Sequence, residues 1–181
     1  MKSFMSKYLT SAAIAATLCF SLVPHASAAD TSSQDKKFVT DSGVGSLAEI
    51  QMAKLALKNS QNKEVRAFAQ KMIKDHTMLI EQMKPFADKM GVPPPSKLEH
   101  AEQEEYDRLA AKKGASFDKD YVQTMVDDHH KDYADFSKEY NSTANMELKA
   151  TVAKGGDVIK GHTEMIDALG RKMSLKIPSG D

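Results

Sequence analysis

Residues 117–136 read FDKDYVQTMVDDHHKDYADF. Val122, Met125, His129 and Phe136 recur there at helical spacing. A helix over this stretch therefore carries a histidine on its apolar stripe. Its centre, Met125-Val-Asp-Asp128-His129, has one earlier counterpart, Met72-Ile-Lys-Asp75-His76. Two copies of Met-x-x-Asp-His within periodic segments point to a helical bundle with histidines turned inward.

Three further long helices follow by the same reasoning. Phe38, Gly45, Ala48, Met52, Leu55 and Ala56 mark a first helix over about Lys36–Asn59, with Glu49 on the edge of its apolar face. Asn62 is placed to cap a second helix, whose stripe is Val65, Phe68, Ala69, Met72, His76, Leu79 and Met83. Pro85 should kink that helix or end its regular part before Met90. Gly91 to Pro95 then stop it and set an extended course. Ser96-x-x-Glu99 reads as a capping box opening a short polar helix to about Lys112. The third long helix starts near Ser116. A fourth runs to about Met173 on Leu148, Val152, Ile159, His162, Ile166 and Leu169. Gly155, Gly156 and Gly161 predict a bulge, a kink or a close backbone approach in it. Residues 29–35 and 175–181 are expected to be flexible ends around one domain over 36–174.

The whole chain narrows the class. Lys2 and Lys7, the apolar run Leu9–Val23 and Ala26-Ser27-Ala28 form a cleavable Sec-type signal peptide over residues 1–28. The run is too short for a transmembrane anchor. The lone cysteine, Cys19, lies inside it behind Leu18, which argues against a lipoprotein. The expected product is periplasmic, with no anchor after cleavage and no disulfide or thiolate ligand. Without Lys2 and Lys7 the 25 basic residues become 23, against 25 acidic ones. Nothing there suits a nucleic-acid partner. Tryptophan is absent and no β-branched strand-like run occurs, so the fold class is all-α.

Loop lengths set the topology. The first and second long helices, and the third and fourth, should form antiparallel hairpins. Residues 91–115 are long enough to cross the bundle and make the second and third helices parallel, as in ferritin-like folds. A plain up-down-up-down bundle is the alternative. In the crossover topology Glu49, His76, His129 and His162 fall within about four residues of one level, roughly 6 Å at 1.5 Å per residue. Met72 and Met125 lie one turn before their histidines, on the same faces, as candidate further ligands that Cu(I) would draw in.

One carboxylate and three imidazoles at one level form a candidate metal site for copper, zinc or iron. The opposing reading makes each histidine a core residue satisfied by a hydrogen bond, the methionines core filler, and Asp75 and Asp128 flanking solvated charges. Asp75 and Asp128 as partners behind the histidines is the other option. His100 and His130 fall off the stripes, as surface residues. A conventional di-iron centre is disfavoured, because Ile73 and Ile159 occupy the positions where Glu-x-x-His would need glutamate. Phosphate loops, nucleophile elbows and cysteine nucleophiles are missing.

Phe38-Val39, Glu49, Met72-x-x-Asp75-His76, Phe117-Asp118-x-x-Tyr121, His129 with Phe136, and His162 together resemble an exported bacterial family. This is the domain-of-unknown-function 4142 family, often labelled predicted outer-membrane protein. The resemblance covers about Lys36–Leu169. It implies a ferritin-like bundle and export, with outer-membrane association open, and supplies no established activity. This chain has Lys154-Gly155-Gly156 where the family usually has a Leu-Pro-like break. The Met-x-x-x-His spacing is also similar to that of small periplasmic copper-binding bundles. Two functions follow as expectations: a metal-binding bundle, or a metal-free structural or stress-related envelope protein acting through protein partners.

Overall fold

The computed structural model describes residues 32–178. The expected signal peptide, residues 1–28, lies outside the described residues. Among the described residues there are five helices: α1 (Ser33–Asn59), α2 (Lys63–Met90), α3 (His100–Ala110), α4 (Gly114–Ser142) and α5 (Met146–Lys172). Their ends follow local chemistry. Ser32 accepts a hydrogen bond from the Asp35 amide, Asn62 from the Glu64 and Val65 amides, and Asn145 from the Glu147 and Leu148 amides. Gly91 closes α2 at φ 64°, a left-handed conformation that glycine adopts without cost.

Side-chain pairs fix the directions. Gln34 at the start of α1 donates to Glu139 near the end of α4 at 3.1 Å, and Thr143 donates to Asp35 at 3.2 Å. Lys172 at the end of α5 pairs with Glu64 at the start of α2. Adjacent helices are therefore antiparallel, and α2 and α4, on one diagonal, are parallel. This is the ferritin-like crossover arrangement. The connection from Gly91 to Lys113 runs over α1, where Pro95 meets Gly43 and the Lys112 carbonyl accepts from Asn59 at 3.0 Å.

Several sequence expectations are corrected. α1 starts at Ser33, inside the segment expected to be flexible, because Ser32 caps it. α2 reaches Met90 as expected and Pro85 does not end it; the flanking Met83 and Phe86 are buried. Ser96 caps nothing. α3 begins at His100 after Glu99, which makes no side-chain cap bond, since Pro93–Pro95 hold the preceding chain extended. Residues 175–178 fold back rather than fray. The Leu175 amide bonds the Gly170 carbonyl at 3.0 Å, Gln123 donates to the Lys176 carbonyl, and Leu175 and Ile177 pack on the core.

Two apolar clusters fill the interior. One gathers Met52, Phe68, Met72, Leu109, Phe117, Tyr121, Met125 and Ile166 near the α1–α2 turn. The other gathers Phe38, Leu79, Met83, Phe86, Phe136, Leu148, Val152 and Ile159 toward the opposite end. Gly155 lets α5 approach α4 in that second cluster. A Cβ there would sit 2.5 Å from Phe136 Cε1, and Phe136 is wedged edge-on against Phe38 at 5.0 Å between ring centroids. Gly155→Ala should thus destabilise by about 1–3 kcal/mol despite its better helix propensity. A denaturant melt with an unchanged or raised midpoint would refute this packing account.

Candidate metal centre

Between the two clusters lies a belt of polar side chains. α2 brings His76, α4 His129 and α5 His162, and all three are at most 1% exposed. Their ring centroids stand 5.4–5.8 Å apart. One nitrogen from each ring falls within 4.8 Å of the other two. The Phe68 ring closes one side, 6.0 Å from His129 and 6.2 Å from His162.

Each ring is held from behind. His129 Nδ1 lies 2.9 Å from the Met125 carbonyl. A carbonyl only accepts, so Nδ1 carries the proton and Nε2 keeps its lone pair. His162 Nε2 lies 2.9 Å from an oxygen of Asp75, which leaves the lone pair on Nδ1. His76 Nδ1 lies 3.2 Å from Ser46 Oγ and 2.9 Å from Glu49 Oε2, and the carboxylate favours the proton on that nitrogen. The remaining nitrogens, His76 Nε2, His129 Nε2 and His162 Nδ1, have no hydrogen-bond partner among the described residues.

Burial, against the attraction of nearby carboxylates, pushes all three imidazoles down to about 4. They are neutral donors at physiological pH. Glu49 is 3% exposed; burial raises its carboxyl above the usual range, opposed by His129. Burial likewise opposes ionisation of Asp75, but its bonds from Lys71 and His162 outweigh it and hold the carboxyl low.

The three histidines expected at one level meet there. Glu49 joins the belt with its oxygens against Nδ1 of His76 (2.9 Å) and of His129 (3.4 Å), the edges facing away from the unpartnered nitrogens. Met72 and Met125 are fully buried in the apolar cluster, and Met125 touches the site through its carbonyl. Asp75 is 6% exposed rather than a solvated flank, because its position turns it toward α5 and His162. Asp128 stays half-buried. His100 is exposed as expected, whereas His130 bonds Asp167 at 3.1 Å. Ser46 was missed; it stands one turn before Glu49, a spacing that puts both on one face of α1.

A family profile described as a domain of unknown function (DUF4142) matches residues 21–169. A comparison with curated proteins finds no match. Among solved structures, a DUF305 fragment from Deinococcus radiodurans superposes with a TM-score of 0.67 at 17% identity, covering 77% of this chain and 97% of that one. A secreted DUF305 protein from Streptomyces coelicolor gives a TM-score of 0.66 at 15% identity, over 81% and 96%. CopM in its Cu(I)-bound form gives 0.64 at 19% identity, over 77% and 96%. At these identities the likeness is one of fold.

Proposed function

The chain belongs to the DUF4142 family, and we propose that within it this protein binds one transition-metal ion through His76, His129 and His162. Two observations carry the reading: one ring nitrogen from each of three buried histidines lies within 4.8 Å of the other two, and each ring keeps one nitrogen without a hydrogen-bond partner among the described residues. A metal at about 2.0–2.1 Å from each needs them roughly 3.5 Å apart, which small side-chain rotations supply. Glu49, Ser46, Asp75 and the Met125 carbonyl orient the rings, the usual arrangement behind metal-bound histidines. Three neutral nitrogens and no thiolate suit copper or zinc. Cu(I) accepts three ligands, whereas Zn(II) would add a fourth. The fold shared with CopM makes Cu(I) the first ion to test. A chain with a cleavable leader would meet that ion in the periplasm.

A metal-free structural role leaves three buried lone pairs without partners, a cost that native interiors avoid. The test is metal titration of the mature protein, purified without chelators or tag. One equivalent of Cu(I) or Zn(II) should bind and raise the melting temperature. His129→Ala should abolish both effects; unchanged stoichiometry in that variant refutes the site.

A further inference from the structure

A cavity of about 460 Å³ opens between α1, α4 and the crossover. It is lined by carboxylates of all three segments and reaches His76, which is 1% exposed and whose Nε2 has no partner. Resting on the metal-binding reading above, we infer that this cavity is the route by which a hydrated cation reaches the triad.

Charge favours a cation. Six carboxylates line the space against three lysines. Two of those lysines are already engaged in helical pairs, Lys37 with Asp41 and Lys131 with Asp135. Among the described residues Glu99 and Glu102 from the crossover and Asp132 from α4 make no ion pair, and one Glu102 oxygen is buried without a partner. A cleft with uncompensated negative charge and low-dielectric walls concentrates cations and speeds their arrival. At about 30 Å³ of liquid volume per water, the space holds an ion with its hydration shell. Ser46 and His76 both line the cavity, and Ser46 Oγ lies 3.2 Å from His76 Nδ1, so the passage reaches the imidazole ring of the triad.

Gly45 keeps the passage open. It lines the cavity from mid-α1, and a Cβ there would meet nothing within 4 Å. Packing does not require glycine, and helix propensity disfavours it by about 1 kcal/mol relative to alanine. A larger side chain would thus extend into the passage without disturbing the helix.

The experiment is stopped-flow loading of the mature protein with Zn(II), and with Cu(I) delivered from a chromogenic chelator, beside equilibrium titration. Gly45→Leu should slow uptake and release about tenfold while leaving affinity within about twofold. Asp132→Asn should slow uptake and flatten its dependence on ionic strength. Wild-type loading with unchanged rates in both variants overturns the route and leaves the triad standing. Failure of the wild type to bind either ion overturns the metal-binding reading and the route with it.

Discussion

Glu49→Gln is expected to raise the melting temperature of the metal-free protein and to weaken its grip on metal. The Glu49 carboxylate is buried, and neither oxygen makes an aligned hydrogen bond. An isosteric amide removes a charge that burial penalises, worth about 1–3 kcal/mol, or roughly 3–10 °C for a domain of this size. The same change takes a negative charge from behind Nδ1 of His76 and His129. Metal affinity should fall on the order of 10–100-fold, the usual cost of losing such a partner. Calorimetry with and without Cu(I) checks both. A fall of roughly a thousandfold or more would make Glu49 a ligand, as its place in the sequence first suggested; an unchanged affinity would remove it from the site.

His129→Leu should make the metal-free protein gain on the wild type as acid is added. The His129 imidazole titrates near 4 in the folded chain against 6.5 in the unfolded one. Above 6.5 both states are neutral and the residue adds no slope. Between 6.5 and about 4 only the unfolded chain takes the proton, so stability falls with pH by about 1.4 kcal/mol per unit, ~3 kcal/mol in all. Leucine removes that loss. Asp132, pushed up to about 7 by burial and by Glu49, acts in the opposite sense, so neither curve alone carries the sign. It appears in the difference between the two proteins, measured by urea melts at pH 7, 5.5 and 4. Parallel curves would mean that His129 is reached by water.

The helices were legible because their cores repeat at three and four residues. Val65, Phe68, Met72, His76, Leu79 and Met83 all face inward, as read from spacing alone. The level of the histidines was legible too, since residue counts along antiparallel hairpins translate directly into height. Partner roles were not. Asp75 precedes His76, and spacing within α2 shows only that it points elsewhere. That it points to α5 depends on the neighbour, which no single helix encodes. The same holds for Glu49, whose height was read correctly while the edge of the imidazoles it meets was decided by side-chain rotation. Pro85 shows the reverse case, a helix-breaking residue that lies inside α2 between the buried Met83 and Phe86 without ending the helix.

The polar belt between the two apolar clusters also governs how the helices can align. Aliphatic stripes alone tolerate a slide of one turn, about 5.4 Å, because leucine against methionine packs much like methionine against leucine. Here such a slide would press Glu49 or an imidazole against hydrocarbon and bring a thioether opposite Asp75. Each wrong register would leave several buried polar groups without partners at once. The histidine layer is thus an index mark, by which four otherwise interchangeable greasy faces find a single alignment.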